Sequence, residues 1–128
     1  MMKRLRLNEL EFDRAVKRAI KRIPAEISRY LKNVLISVQK HSSKEVLEEM
    51  GLHRNITLLG MYRGTSLMDR SVTHPPLYPD TIILFQEALE KMCETIEELE
   101  AQIEITVVHE IAHFLGISEG RLAELGYG

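Results

Sequence analysis

Near the start of the chain, apolar residues recur at helical spacing: Phe12, Val16, Ala19, Ile20 and Ile23 share one face of a 3.6-residue repeat. Asn8 stands just ahead of this run with Glu11 three residues on, a capping-box arrangement that uses Asn in place of Ser or Thr. Pro24 closes that helix and opens a short second one through Tyr30. The period then changes. Val34 to Val38 is apolar and β-branched and predicts a strand. Ser43 with Val46, Leu47 and Met50 predicts a short helix stopped by Gly51. Ile56 to Tyr62 predicts a second strand, running into a turn at Gly64, and Thr81 to Phe85 a third. Residues 63–80 between them hold three of the four prolines and little periodicity, as a loop does. From about Glu87 to Leu115 the spacing is helical again, with a break near Cys93; Gly116 stops it, and Arg121 to Leu125 supplies a final helical turn. This order is neither a regular strand–helix alternation nor all-helical. The expected class is α+β: one small domain over residues 1–128, with a mixed sheet of about three strands packed with helices.

The last long helix has an unusual wheel. At about 100° per residue, Ile105, Val107, Val108, Ile111, Ala112, Phe114 and Leu115 fill more than half the circumference. Gln102, Thr106, His109, Glu110 and His113 make up the rest. A helix this apolar is buried, and buried polar groups need partners, so the polar strip is expected to line a cleft where a metal ion and its water supply them.

That strip carries a motif. His109-Glu110-Ile111-Ala112-His113 has histidines at i and i+4, one above the other on a helix, so both imidazoles reach one metal ion. Glu110 sits where a general base can hold the attacking water. Gly116 is able to take a left-handed conformation and turn the chain back, which brings Glu119 round as candidate third protein ligand and leaves a fourth position open. Chance produces HExxH in about 2% of shuffled chains of this composition, and the added Gly and Glu lower that to roughly one in ten thousand.

Bulk properties narrow the setting. With 128 residues, 45% hydrophobic and 28% charged, the chain has the length and balance of one globular domain. The single cysteine, Cys93, has no internal disulfide partner and is read as a small packed hydrophobe. No signal peptide or membrane span is legible, so no membrane partner is expected and the cytoplasm is the expected compartment. The net charge of −2 hides an asymmetry: residues 1–40 carry 11 Lys/Arg against 4 Asp/Glu, the remainder 6 against 15. The basic cluster Arg14, Lys17, Arg18, Lys21 and Arg22 is read as a solvated face complementing the acidic helix ahead of His109. No aromatic or Gly-rich RNA-binding signature accompanies it, which argues against nucleic acid as a partner. Oligomeric state is not readable from the sequence.

The site helix resembles those of zincin metallopeptidases, in a metzincin-like HExxHxxGxxE form with Glu119 where metzincins carry a third histidine. The chain is similar to the bacterial minimal zincin-like metallopeptidases over roughly residues 55–128. That likeness rests on Leu59–Gly64, Pro79–Phe85, Val107–His113 and Arg121–Tyr127. It implies a small zincin-like domain with its active-site helix near the C-terminus, and a hydrolase of peptide bonds. It further implies Zn2+ held by His109, His113 and Glu119, with Glu110 as base. Two departures stand out. The third-ligand position in such proteins is usually Asp or His, the former a methylene shorter than Glu119; and Phe114 occupies a place where many relatives have another histidine, on a side expected to face the core. Larger metzincins continue into a methionine turn, a floor that this chain lacks or builds from Met61, Met68 or the N-terminal helices.

The substrate expected on this reading is a peptide or protein, laid along the edge of strand Ile56–Tyr62 or Thr81–Phe85. Tyr127, Tyr78, His74 and Arg63 are candidates for the oxyanion partner, and residues 63–80 for a loop that rearranges to complete the site. Two other readings compete. A peptide deformylase also has HExxH on a late helix, but takes its third ligand from a cysteine far upstream, whereas Cys93 is close to the motif in a Glu-rich helix. A non-catalytic zinc-binding structural or regulatory module gains stability from the metal, but such sites are usually closed by four Cys-rich ligands and give Glu110 no task.

Overall fold

Helix α1 (Glu9–Lys21) begins where the capping box predicts: the Asn8 side chain accepts from the Glu11 N–H and the Glu11 side chain from the Asn8 N–H. The computed structural model describes residues 5–41, 58–64 and 80–127. Phe12, Ala15, Val16 and Ala19 are the buried stripe of α1. A one-turn helix α2 (Ala25–Ser28) and a 3-10 turn (Arg29–Leu31) follow Pro24 and lead into β1 (Val34–Gln39). Strands β2 (Gly60–Arg63) and β3 (Asp80–Phe85) complete a sheet of order β1-β3-β2. β1 runs parallel to β3, pairing Ile36 with Ile82, and β2 runs antiparallel to β3, pairing Met61 with Ile83. The sheet is therefore mixed and three-stranded, and the class is α+β. The expected helix at Ser43–Met50 and the first residues of the Ile56–Tyr62 segment lie outside the described residues; Leu58 and Leu59 are described, and the strand begins after them.

Period-two alternation splits the central strand. Ile82 and Leu84 join the main core with α1 and the site helix, whereas Ile83 and Phe85 cluster with Met61 on the opposite face. The break expected near Cys93 is present: α3 (Gln86–Lys91) ends there and α4 (Ile96–Leu115) starts after it, capped by Thr95. Cys93 is buried in the core cluster, as read from the sequence. The last helix, α5 (Glu119–Glu124), is capped by Ser118 and starts two residues earlier than the Arg121 expected.

The N-terminal segment is pinned by polar contacts under α3. The buried Glu90 carboxylate accepts from the Leu7 N–H at 2.8 Å, and the Gln86 amide donates to the Leu7 carbonyl at 2.9 Å. On the other flank, Arg18 pairs with Glu100, and Arg22 with Glu104 at 3.2 Å. The basic face of α1 thus meets the acidic face of α4. Among the described residues, no helix is long and apolar enough to cross a membrane.

Candidate metal centre

α4 is the scaffold of the site. Leu99, Ile103, Val107, Val108, Ile111 and Ala112 bury one side of it against α1 and the sheet. The polar strip opposite is not uniformly a cleft. Thr106 is buried; its hydroxyl donates to the Gln102 carbonyl at 2.8 Å and its methyl faces β2. Gly60 makes that approach possible, since a Cβ there would lie 2.9 Å from the Thr106 methyl and 3.1 Å from the Ile83 carbonyl. Ile105, expected in the buried sector, is exposed.

One turn further on come the motif side chains. His109 is half-buried and His113 exposed, with ring centroids 6.0 Å apart and planes at 81°. Glu110 lies between them in sequence, half-buried against β2. Leu59, just ahead of β2, accepts from the Phe85 N–H at 2.9 Å, so by alternation the Tyr62 N–H points off the sheet edge, where it donates to the Glu110 carboxylate. Burial pushes the Glu110 carboxyl above the ordinary glutamate range, opposed by the Tyr62 N–H and then by His113 and His109. The Tyr62 ring stacks on Phe114 at 4.2 Å and its hydroxyl donates to Asp80 at 2.6 Å. Phe114 is therefore only partly buried, packed against the edge of the main core and not within it.

The helix ends as Gly116 allows. Its φ of 76° is left-handed; its N–H donates to the His113 carbonyl at 3.2 Å and the Ile117 N–H to the Ala112 carbonyl at 2.9 Å, a Schellman motif. α5 then runs back, held by buried Leu122. This return places Glu119 Oε1 3.4 Å from His113 Nε2. His109 meets something else: its Nε2 lies 2.6 Å from the main-chain oxygen of Tyr127. Among the described residues, no three His, Cys, Asp or Glu side chains are gathered closely enough to hold an ion. The donor chemistry of His109, His113 and Glu119 suits zinc, two imidazoles and one carboxylate; one of these donors, His109 Nε2, faces the Tyr127 main-chain oxygen.

The other candidates divide clearly. The Tyr127 hydroxyl donates to Glu104 at 2.7 Å and its ring is buried, pushing its pKa up to about 12 by burial first and then by Glu104. That hydroxyl is turned to α1's ion pairs, away from an oxyanion role. Arg63 is exposed at the end of β2. Tyr78, His74 and Met68 lie outside the described residues. Met61 is on the sheet face away from α4 and provides no floor. Reading the sequence missed Tyr62 as the anchor of Glu110, because that contact uses a main-chain N–H whose direction depends on strand parity.

A family profile described as zincin-like metallopeptidase matches residues 31–128. No curated protein matches the chain. Two solved chains match; one, a conserved hypothetical protein from T. thermophilus, has a TM-score of 0.58 at 19% identity, covering 89% of this chain and 99% of that one. At that identity the likeness is one of fold.

Proposed function

The chain belongs to the zincin-like metallopeptidase family, and from that premise we propose that it is a zinc-dependent hydrolase of peptide bonds, with His109, His113 and Glu119 as metal ligands and Glu110 as general base. The observation that carries this reading is Glu110: a half-buried carboxylate with raised proton affinity, anchored by the Tyr62 N–H beside two histidines one helical turn apart. A structural metal site has no use for such a group.

When bound, zinc polarises the scissile carbonyl and acidifies a water. The chain's residues do the rest. Glu110 takes the proton of the attacking water and passes it to the leaving amine; burial brings its proton affinity toward that of an effective base at neutral pH. The Tyr62 N–H fixes the carboxylate without neutralising it. β2 is the sheet edge next to α4, and an extended peptide laid against the outward main-chain groups that Glu110 leaves open comes alongside that carboxylate. A peptide or protein is therefore the proposed substrate.

The test is cleavage of a peptide library by zinc-loaded wild type and Glu110→Gln, with metal content measured on both. We expect about one zinc per chain in each and a loss of cleavage of at least about a hundredfold in the variant, the scale of general-base catalysis. Equal cleavage by both would remove Glu110 from the mechanism. Zinc retained by both with no cleavage by either would favour a non-catalytic zinc-binding module.

A further inference from the structure

A histidine binds a metal through the lone pair of a ring nitrogen, and His109 has none available on Nε2 here. The Tyr127 main-chain oxygen, 2.6 Å away, can only accept, so Nε2 carries a proton and donates it. The contact is supported from three sides. The Tyr127 N–H donates to the Leu122 carbonyl at 2.8 Å, its ring is buried, and its hydroxyl donates to Glu104, which Arg22 holds at 3.2 Å. Gly126 makes the turn that aims the carbonyl: its φ is 93°, a region that disfavours residues with a Cβ. Its N–H donates to the Ala123 carbonyl at 3.0 Å.

We propose that the Gly126–Tyr127 turn is a latch on the metal centre: the Tyr127 carbonyl holds His109 with Nε2 protonated, and zinc is admitted to that nitrogen only when the latch lifts. The inference rests on the reading of His109 as a ligand. On loading, the Nε2–H···O bond breaks, the Nε2 proton leaves to solvent, Nδ1 takes one up, and the neutral ring turns its Nε2 lone pair to the metal. The same returning segment touches both histidines, Glu119 at His113 and Tyr127 at His109; the first contact joins two of the residues that would hold zinc, and the second is the one that would have to break for His109 Nε2 to join them. The two histidines are unequal: His113 is exposed beside a side-chain carboxylate, whereas His109 is half-buried under a main-chain carbonyl.

The experiment is zinc affinity of the full chain, by competition with a chromogenic chelator, for wild type, Tyr127→Phe, Glu104→Gln and His109→Ala. Tyr127→Phe removes the hydroxyl anchor and Glu104→Gln removes the charge that strengthens it, both keeping side-chain volume. A latch predicts that each binds zinc tighter than wild type, by about fivefold, the worth of one hydrogen bond. It also predicts a protonated Nε2 on His109 in the 15N spectrum of the zinc-free protein, and loss of hydrogen-exchange protection at the Tyr127 amide when zinc is added. Unchanged or weaker zinc binding in both variants overturns the latch, and the carbonyl is then a support that orients the ring; the ligand reading survives if His109→Ala still loses zinc. Zinc binding by His109→Ala at wild-type strength, or by none of the proteins, removes the ligand reading and the latch together.

Discussion

At the scale of single residues, three ionisable groups are set by burial more than by charge. The Cys93 thiol is pushed up, by burial first and by Glu98 second, so the thiolate that reacts with alkylating reagents is depleted. We expect modification of Cys93 at pH 8 to be slow in the native protein and fast in urea, which a timed mass-spectrometric assay reads directly. Tyr127 titrates at about 12 in the fold against an ordinary value of 10. The folded state therefore holds this proton more firmly than the unfolded chain. Its contribution is complete below pH 10 and is lost as pH rises through 12, on the order of 2 kcal/mol in all. Urea unfolding across that window should show the loss in wild type and a flatter profile in Tyr127→Phe; equal slopes would detach the shift from this tyrosine. Glu110 is the third such group, and the proposed mechanism draws on its raised proton affinity.

At the scale of elements, the site depends on how closely α4 sits on β2. Gly60 controls that distance. Gly60→Ala places a methyl 2.9 Å from Thr106 and 3.1 Å from a main-chain oxygen of β3, and the backbone oxygen has little freedom to yield. A cost of about 1–3 kcal/mol is expected, as for overpacked cores, together with reduced peptide cleavage, because Tyr62 moves with the strand and carries the anchor of Glu110. Gly116 acts differently. Nothing lies within 4 Å of a Cβ built there, but its φ is +76°, so Gly116→Ala is penalised by backbone conformation alone, by about 1–2 kcal/mol. That variant is expected to fold with a weakened return into α5 and lower zinc affinity. Denaturation midpoints separate the two: loss of stability should exceed loss of zinc affinity for Gly60→Ala and fall behind it for Gly116→Ala.

At the scale of the whole molecule, the N-terminal helix is tied to the site by a chain of polar contacts. Arg22, capping the C-terminus of α1, holds Glu104 on α4, Glu104 accepts from Tyr127, and Tyr127 reaches His109. The Arg22 side chain is half exposed, so Arg22→Ala should cost under about 1 kcal/mol of global stability. Phe12 lies at the other extreme: it is fully buried where α1 meets the core, and Phe12→Ala should cost about 3–5 kcal/mol. Calorimetry distinguishes a peripheral tie from a core contact by these magnitudes.

Much of this molecule was legible in its sequence because the deciding interactions are local. The capping box at Asn8 and Glu11, the stop at Gly116 and the placement of His109 and His113 one turn apart on the same helix all follow from local spacings. The strand character of β1 and β3 follows from composition over five or six. The α+β class and the zincin resemblance rest on those short-range patterns, and both hold. What tertiary structure alone decided involves main-chain groups and residues distant in sequence. Sheet order β1-β3-β2 was not readable, because pairing depends on which apolar faces meet. Thr106 belongs to the polar strip by wheel position and to the β2 interface by packing. Nor does residue type reveal that the Tyr62 N–H anchors Glu110 or that the Tyr127 carbonyl sits on His109, since every residue but proline carries the same N–H and every residue the same C=O. The sequence determined which side chains offer ligand and base chemistry; only the folded backbone decided which of their atoms are already taken.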